Sequence, residues 1–353
     1  MTFRTANLVT YGRAGRFKSS MYQLSVIIPT FNRCESVVRA LRALARQTYS
    51  PGDFEAVVIS DGSTDRTVEE VGAISTPYRL RFIEQRNQGP SVARNLGARM
   101  ATSSLLVYVD DDIEPVPEFL EEHAREHSGD TGLVLIGPQS EPKNEPMSHW
   151  IAWEHRMLRK QYANFNLGVW EPGPNNLYSG NFSVRRDHLI AVGGFNTAFT
   201  RQEDVELGFR LAHHGLHFRF NSRAIGIHRP TRSFDSWYRT PYEYGRRDVQ
   251  MAREGGEERA IALARKHFQE RNGLTRLLAR GCIGQPLLEP AVMRSGCSAV
   301  RFGGRRVALA ACSLLFNLRY LQGMCHELGG RQRLWETLAP ATRASARHNS
   351  ESA

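Results

Sequence analysis

The chain of 353 residues lacks several features that would assign it to a specialised class. Its five cysteines are scattered, odd in number and without a CxxC pair, which argues against a disulfide framework or a zinc knuckle. No uninterrupted apolar run reaches the length of about 18 residues that a spanning helix needs, and residues 1–20 lack the apolar core of a secretory signal. These absences favour a globular protein in a reducing compartment, and we expect a cytoplasmic location.

Positive charge and a substantial apolar content are what the sequence does have. The net charge of +10 favours anionic partners such as nucleotides, polyphosphates or an anionic membrane face. Hydrophobic residues make up 41% of the chain, enough for one domain of about 200 to 250 residues plus an appendage. We divide the chain into a disordered tail or misassigned start (1–21), a main domain (22–230) and a basic helical C-terminal region with a disordered end (231–353).

Strand and helix patterns alternate in the first part of the main domain. Short apolar runs at 24–29, 54–60, 80–84 and 105–109 predict strands, and helical spacing follows the earlier three. This alternation predicts an α/β fold with a mostly parallel central sheet flanked by helices. Beyond residue 117 the pattern weakens: we expect a helix near Glu118 to Glu126, a strand over GLVLIG (132–137) and then an irregular stretch up to about Tyr178. Loops at the carboxyl ends of parallel strands meet at one edge of the sheet, where ligands bind.

The fourth strand ends in the acidic stretch "DDD", Asp110 to Asp112. Three adjacent carboxylates repel one another unless a cation neutralises them. Mg²⁺ and Mn²⁺ take oxygen ligands, commonly one or two carboxylates together with substrate phosphates. The alternative is a solvated acidic turn.

The second strand ends in "SDGSTD", which places Asp61 at the same edge of the sheet. A carboxylate there can accept hydrogen bonds from a nucleobase or a ribose hydroxyl. The alternative is an ordinary strand-to-helix turn, in which Gly62 permits the tight bend.

Six ordered segments resemble the family 2 glycosyltransferases, whose fold is GT-A: SVIIPTFNR, VVISDGSTDRT, NQGPSVARNLG, VYVDDDIEP, SGNFSVRRDHLIAVGGFN and EDVELGFRL. The resemblance covers roughly Leu24 to Pro230. It implies a Rossmann-like GT-A domain with a C-terminal helical extension. It also implies an inverting hexosyltransferase that moves a sugar from a nucleoside diphosphate donor, usually a UDP-sugar, to an acceptor hydroxyl.

The resemblance also assigns roles to individual residues. It implies a nucleotide pocket formed by Pro29, Thr30, Asn32, Arg33, Asp61, Arg94, Asn95, Asp110 and Asp111. It implies that Mn²⁺ or Mg²⁺ is held by Asp112, Asp110 and His228, with Asp112 the direct ligand of choice. It implies a floor beneath the donor and acceptor sugars at Gly180 and Asn181. Which aspartate of the triple serves which function stays open.

The segment "EDVELGFRL" carries the implied catalytic base, Asp204, with Glu203 orienting the acceptor. Both carboxylates open a helix, whose N-terminus stabilises negative charge, so we expect a low pKa at Asp204. A carboxylate in a closed site can still take the proton as the acceptor hydroxyl attacks. Helix capping is the alternative function of this pair.

Aromatic side chains upstream of the floor are candidates for contact with the acceptor. Trp153, Trp170 and Tyr178 could stack on an acceptor sugar, or they could belong to the core. The QxxRW motif of processive synthases is missing, which favours single addition. We expect a glycan or lipid-linked acceptor in cell-envelope or exopolysaccharide synthesis and no nucleic-acid partner.

The segment "VALAACSLLF", residues 307–316, is flanked by Arg301, Arg305, Arg306 and Arg319. Ten apolar residues cannot span about 30 Å of hydrocarbon, but a basic-flanked helix can lie in the interface of an anionic membrane. Packing of this helix against the main domain is the alternative. Peripheral contact with the cytoplasmic face of a membrane therefore stays open.

Two other function classes deserve weight. A nucleotidyltransferase shares this sheet and metal chemistry but needs a glycine-rich phosphate loop after the first strand, and "IIPTFNRCE" contains no glycine. A retired transferase acting as a binding module would be expected to have lost Asp61, the aspartate triple or Asp204, and all of these are present. Both are less favoured than an active glycosyltransferase.

Overall fold

The computed structural model describes residues 7–9, 23–199, 201–254 and 258–340, which fall into two compact units. The sheet unit comprises Met1–Pro146 and His155–Thr231, and the helical unit comprises Met147–Glu154 and Arg232–Ala353. One boundary between the units falls after Thr231, and the predicted domain limits stay predictions. The assignment of Met147–Glu154 to the helical unit was not predicted.

The sheet unit contains both β-sheets. Its strands are β1 (Asn7–Val9), β2 (Leu24–Thr30), β3 (Phe54–Asp61), β4 (Arg79–Gln85), β5 (Leu105–Val109), β6 (Ile113–Pro115), β7 (Leu133–Ile136), β8 (Gln139–Ser140), β9 (Asn181–Arg185), β10 (His217–Phe220) and β11 (Gly226–His228). Its helices are α1 (Cys34–Leu44), α2 (Thr67–Ala73), α3 (Pro90–Met100), α4 (Phe119–Glu126), most of α5 (His149–Asn166), α6 (Arg186–Ala191) and α7 (Glu203–His213), and a 3₁₀ turn spans Pro174–Asn176.

The central sheet has eight strands in the order β1-β4-β3-β2-β5-β9-β7-β10. Its described strands run in one direction except β1 and β9, which confirms the predicted mostly parallel sheet. Strand β2 pairs in parallel with both β3 and β5, so the strand order reverses between β2 and β5. Open α/β sheets bind ligands at the carboxyl ends of their strands at such a reversal.

The alternation of side chains along β2 explains how helices cover both faces of the sheet. Val26 and Ile28 pack into a core that includes Leu41 of α1, whereas Ile27 packs into the opposite core with Ala93 of α3. Successive side chains of a strand point to opposite faces, so an unbroken apolar run requires cover on both. The helices thereby hold the ends of β2 and β5 in a fixed position.

A second sheet of three strands, in the order β6-β11-β8, lies just beyond the aspartate triple. The register of β11 against β6 pairs His228 with Ile113, the residue after Asp112. The backbone N–H of Arg229 donates to the carbonyl of Asp112 at 2.9 Å. This pairing places His228 beside the triple although more than a hundred residues separate them in sequence.

The helical unit is built from α8 (Phe234–Glu254), α9 (Glu258–Glu270), α10 (Gly273–Cys282), α11 (Leu288–Phe302), α12 (Arg305–Glu327) and α13 (Arg331–Thr337). Helices α8 and α12 cross at two glycines: the Cα of Gly245 lies against the carbonyl of Tyr320, and that of Gly323 against the carbonyl of Tyr242. A side chain at either position would collide with the backbone of the partner helix. The crossing therefore requires two small residues.

Helix α12 is longer than the ten-residue apolar segment that the sequence suggested. By length and composition it is the one described helix that could cross a membrane. Its Cys312, Leu315 and Leu318 are fully buried within the helical unit, in a core with Trp237 and Met324. The buried face agrees with a packed helix of the appendage.

Two further segments differ from the sequence-based expectations. Residues 7–9, inside the predicted disordered tail, form β1 and pair with β4, while the rest of that tail lies outside the described residues. The stretch expected to be irregular up to Tyr178 contains the 18-residue helix α5. Ile151, Leu158, Tyr162 and Phe165 recur in it at helical spacing, which is the signal that could have identified it. The predicted disordered end, from residue 341, also lies outside the described residues.

Candidate active site

The aspartate triple follows β5 directly and meets the end of β2. The N–H of Ile113 donates to the carbonyl of Asp110 at 3.0 Å, so the strand gives way to a turn within the triple. Asp111 is buried, and its Oδ2 accepts from Thr30 Oγ1 at 2.8 Å. Arg33 Nη1 donates to Asp111 Oδ1 at 3.1 Å and to Asp112 Oδ2 at 2.6 Å. These contacts bring together Thr30, Arg33 and Asp111, three of the residues that the resemblance placed around the nucleotide, and join them to the predicted metal ligand Asp112.

The charge state of Asp111 reflects a balance between burial and its arginine. Burial raises the pKa of Asp111 to about 7, and the opposing charge of Arg33 and the hydrogen bond from Thr30 only partly offset it. A buried carboxylate with one arginine partner therefore holds a proton more readily than an exposed carboxylate does. A cation beside this carboxylate would lower its pKa again.

Two of the three predicted metal ligands, Asp112 and His228, lie side by side, whereas the third, Asp110, is ion-paired with Arg94. Asp112 Oδ1 and His228 Nε2 are 3.7 Å apart, too far for a hydrogen bond and close enough for both atoms to bind one ion. Across the described residues, no group of three or more His, Cys, Asp or Glu side chains is arranged to hold a metal. Two protein ligands suit Mn²⁺ or Mg²⁺ that completes its shell with phosphate oxygens and water. The donor set therefore fits such an ion.

Arg94 of α3 links the triple to the acidic start of α7. Its Nη2 donates to Asp110 Oδ1 at 2.8 Å, and its Nη1 donates to Glu203 Oε1 at 2.9 Å. The side chain is 5% exposed; burial alone would lower its pKa, but the two carboxylates outweigh it and raise the pKa. Sequence reasoning placed Arg94 in the nucleotide pocket and missed this link, because the paired residues are 16 and 109 positions away.

Asp204 stands next to this arginine bridge and is bonded through backbone groups. Its Oδ2 accepts from the N–H of Ser179 at 3.2 Å, and its Oδ1 accepts from the N–H of Val205 at 2.9 Å. Burial, with the negative charge of Glu203 second, raises the pKa of Asp204 to about 7. The predicted low pKa was wrong, because desolvation outweighs the helix N-terminus and the positive charge of Arg94.

Glu203 differs from its neighbour because it is ion-paired with Arg94. The predicted function of Glu203, orientation of the acceptor, remains untested. Its contact with Arg94 gives it a second function, which is to hold the start of α7 against α3. Glu203 does not occupy the capping position of α7. The residue that precedes the helix is Gln202, whose backbone is left-handed with φ 57°.

Asp61 and Asn32 organise the loops around the site. Asp61 is 4% exposed, and its Oδ1 accepts from Gln85 Nε2 at 2.7 Å and from the N–H of Gln88 at 2.8 Å. Its Oδ2 accepts from the N–H of Gly89 at 2.8 Å, directly before α3. Asn32 Oδ1 accepts from the N–H of Thr64 at 2.7 Å. The predicted contact of Asp61 with a nucleobase stays a prediction, whereas its fixing of the loop before α3 is observed.

Two other predicted nucleotide residues lie in the framework of the site. Pro29 is in β2 and pairs with Ile59 of β3. Asn95 Nδ2 donates to the carbonyl of Phe195 at 2.8 Å, and its Oδ1 accepts from the N–H of the same residue at 2.8 Å. The amide of Asn95 is therefore engaged with the "GGFN" segment, and a contact with nucleotide stays a prediction.

The predicted sugar floor at Gly180 and Asn181 lies at the start of β9. Asn181 is 0% exposed; its Nδ2 donates to the carbonyls of Pro138 and Ala224, each at 2.9 Å, and its Oδ1 lies 3.1 Å from His123 Nε2. Its amide is engaged by the protein, and a contact of Asn181 with sugar stays a prediction. Gly180 permits a close approach, since a Cβ there would lie 2.7 Å from Gln139 Nε2 and 3.0 Å from Asp110 Oδ2.

The three aromatic candidates have separate locations. Trp153 is 6% exposed and packs with Trp237 and Phe316 in the core of the helical unit, so it is not a stacking surface. Tyr178 packs on the core of the sheet unit, and its hydroxyl donates to Gln161 Oε1 at 2.6 Å. Trp170 is 44% exposed. Only Trp170 of the three presents a substantial open face.

Residues 25–193 match the family described as "Glycosyl transferase family 2". Validoxylamine A glucosyltransferase of Streptomyces hygroscopicus subsp. limoneus is 32% identical over 233 residues, which cover 59% of this chain and 51% of that protein. Glycosyltransferase AglE of Haloferax volcanii is 29% identical over 239 residues, covering 66% of this chain and 75% of that protein. The chain thus spans about half the length of the validoxylamine A relative.

Two solved structures have similar folds. The mannosyltransferase PcManGT from Pyrobaculum calidifontis, in complex with GDP-Man and Mn²⁺, has a TM-score of 0.60 at 17% identity, over 90% of each chain. S. aureus TarS 1-349, in complex with UDP-GlcNAc, has a TM-score of 0.52 at 18% identity, over 87% of this chain and 92% of that one. At these identities the likeness establishes the fold, and it confirms the predicted GT-A architecture. The family match over residues 25–193 and the GT-A fold are in agreement, so this segment of the chain is similar to glycosyl transferase family 2.

Proposed function

We propose that the chain is an inverting glycosyltransferase that moves a sugar from a nucleoside diphosphate sugar to an acceptor hydroxyl. One observation carries the proposal: buried Arg94 joins Asp110 of the strand-end triple to Glu203, the neighbour of Asp204. Carboxylates suited to a metal-bound diphosphate and a carboxylate suited to proton abstraction are therefore held in one site. Such a pairing is what transfer to a hydroxyl requires.

On the donor side, a UDP-sugar is our first candidate. The two structural relatives contain GDP-Man and UDP-GlcNAc respectively, which supports a nucleoside diphosphate sugar without deciding the base. Asp112 and His228 would hold Mn²⁺ or Mg²⁺, which supplies positive charge to a departing diphosphate. Arg33 fixes the position of Asp111 and Asp112 by bonding both. We assign the loop that Asp61 holds to the adjacent wall of the nucleotide pocket.

On the acceptor side, Asp204 is the general base. A carboxylate with a raised pKa is a stronger base than an ordinary one and is better matched to a hydroxyl at neutral pH. The acceptor oxygen forms a bond to the anomeric carbon while the bond from that carbon to the diphosphate oxygen breaks. The acceptor proton passes to Asp204, and the configuration at the anomeric carbon inverts.

We propose further that Trp170 stacks on the acceptor. The apolar side chains around it are also open to solvent, with Leu167 75% and Val169 65% exposed. The chain then enters the 3₁₀ turn, where the carbonyl of Pro174 lies against Gly208 of α7, and it reaches Ser179, which bonds Asp204. This path connects Trp170 to the base within the sheet unit. A glycan or lipid-linked acceptor, single addition and a cytoplasmic location complete the proposal.

The proposal is tested with a panel of UDP-, GDP- and dTDP-sugars, with and without Mn²⁺. We expect Mn²⁺-dependent binding of one nucleotide class and slow release of free sugar from its donor. A folded sample that binds none of them would overturn the proposal. Binding without any turnover, even with acceptors supplied, would favour a retired transferase, and release of pyrophosphate from a nucleoside triphosphate would favour a nucleotidyltransferase.

A further inference from the structure

The corner between α11 and α12 exposes apolar and basic side chains together. Helix α11 ends at Phe302 and α12 begins at Arg305, with Gly303 and Gly304 between them. Phe302 is 86% exposed, more than any other large hydrophobic side chain in the described part of the chain, and Val307 is 56% exposed. An exposed aromatic ring at a turn is removed from water only when another molecule binds over it.

The corner is a defined turn. The N–H of Gly303 donates to the carbonyl of Ala299 at 3.0 Å, and the N–H of Ala308 donates to the carbonyl of Gly304 at 3.0 Å. These bonds close the end of one helix and the beginning of the next. The fold therefore presents Phe302 and Val307 at a fixed apex.

Positive charge predominates around the apex, with Asp235, the partner of Arg301, as an acidic neighbour. The sequence between Glu289 and Glu327 contains no Asp or Glu, and its arginines are Arg294, Arg301, Arg305, Arg306 and Arg319. Arg305 and Arg306 are exposed beside Phe302, and Arg301, which is half-exposed, lies 3.6 Å from Asp235. An exposed aromatic ring among arginines is complementary to a surface that is anionic outside and apolar beneath.

The apolar helix that follows is not available for the same contact. Ala308, Cys312 and Leu315 of α12 are buried in the core of the helical unit. A helix lying flat in the membrane interface, as the sequence suggested for residues 307–316, would have to expose this face. Contact is therefore confined to the corner.

We propose that the corner formed by residues 301–307 docks on an anionic lipid bilayer, with Phe302 and Val307 inserted at the headgroup level and Arg301, Arg305 and Arg306 contacting lipid phosphates. The proposal does not rest on glycosyl transfer. It makes the protein peripheral, so its attachment should weaken as salt rises.

The test is co-sedimentation of the full chain with vesicles of phosphatidylcholine alone or with added phosphatidylglycerol. We expect binding only to the anionic vesicles. Arg305→Glu with Arg306→Glu should reduce it more than about tenfold, from the loss of two lipid-facing charges. Phe302→Ser should reduce it by about tenfold, from the loss of a buried ring.

Matched controls lie in the sheet unit. Arg42→Glu on α1 with Arg46→Glu just beyond its end makes the same change in net charge, and Ile190→Ser removes an exposed apolar side chain from α6. Both controls should bind vesicles as the parent protein does, and thermal melts establish that every variant is folded.

Three results would overturn the proposal. The first is absence of binding to anionic vesicles by the folded parent, which would direct attention to an acidic protein partner for the corner. The second is an equal loss in the charge control, which would mean that net charge alone drives binding. The third is attachment that survives alkaline carbonate and is unaffected by the corner variants, which would indicate that α12 enters the bilayer.

Discussion

Two acidic clusters lie on either side of Arg94, and the protein treats them differently. In the triple at the end of β5, arginine side chains bond every carboxylate: Arg94 bonds Asp110, and Arg33 bonds Asp111 and Asp112. At the start of α7, Arg94 bonds Glu203, while Asp204 accepts hydrogen bonds from backbone N–H groups. The clusters share one cation but differ in how their remaining charge is balanced.

The difference separates a donor side from an acceptor side. Carboxylates held by arginines and placed beside His228 suit the binding of a cation and its diphosphate. Burial raises the pKa of Asp111 as well as that of Asp204. Asp111 is bonded by Arg33 and Thr30, whereas Asp204 is bonded by backbone N–H groups and is suited to take a proton as a general base. Adjacent acidic residues therefore acquire different chemistry from the groups that face them.

The largest effect is expected on the acceptor side. Asp204→Asn should lower kcat by about 10²- to 10⁴-fold, because the amide cannot accept the acceptor proton. Glu206→Gln, on the same first turn of α7, is the matched control, since Glu206 pairs with Arg210 of its own helix. Initial-rate assays with a saturating donor measure the change. Near-normal transfer by the Asn variant would remove Asp204 from the mechanism.

The bridge between the clusters can be broken directly. Arg94→Met should lower the free energy of unfolding by about 3 to 5 kcal/mol, because it leaves Asp110 and Glu203 facing each other without a buried cation. Arg99→Met, an exposed site on the same helix, serves as the control. Denaturant unfolding measures both variants. A loss no larger than that of the control would show that Arg94 does not hold the clusters together.

On the donor side, Asp112→Asn should raise the concentration of Mn²⁺ required for half-maximal activity more than about 100-fold, since replacing even an outer-shell partner costs 10- to 100-fold in affinity. Asp187→Asn, an exposed position on α6, makes the same chemical change away from the site. Metal titration of the donor-hydrolysis rate is the assay. An unchanged Mn²⁺ requirement would contradict the assignment of Asp112.

The raised pKa of Asp204 gives a pH dependence with a definite sign. The base acts only when deprotonated, so kcat/KM should fall about tenfold for each pH unit below its pKa. Burial moves that fall from about pH 4, where an ordinary aspartate titrates, to near neutrality. A pH–rate profile measures it. If kcat/KM does not change between pH 5 and pH 8 while the protein stays folded, Asp204 is not the titrating base.

The smallest effect concerns Trp170. Trp170→Ala should raise the acceptor KM roughly 2- to 10-fold, the range of a stacking contact, with donor hydrolysis unchanged. Trp170→Phe should recover most of the loss, because a phenyl ring also stacks. Steady-state kinetics at varied acceptor concentration measure the acceptor KM of both variants. A change in donor hydrolysis as large as the change in acceptor KM would show that Trp170 acts on the donor and not on the acceptor.

The sequence predicted the elements of the site better than their contacts. The buried strands follow from apolar runs, which are local signals, and the location of His228 near the triple was implied by the family resemblance. The bridge made by Arg94 joins residues 109 positions apart, and no local pattern encodes it. The pKa of Asp204 depends on its desolvation by the surrounding fold. The burial of Asn181, the first residue of β9, is likewise a property of packing that no local pattern encodes.

The most direct test of the division between donor and acceptor sides is calorimetric titration of the donor nucleotide, with and without Mn²⁺, into the parent protein, Asp112→Asn and Asp204→Asn. We predict that Asp204→Asn binds the nucleotide with an unchanged, Mn²⁺-dependent Kd while being unable to transfer sugar. Asp112→Asn should lose the dependence on Mn²⁺. If Asp204→Asn weakens donor binding as much as Asp112→Asn does, the two clusters form one functional unit and the division is wrong.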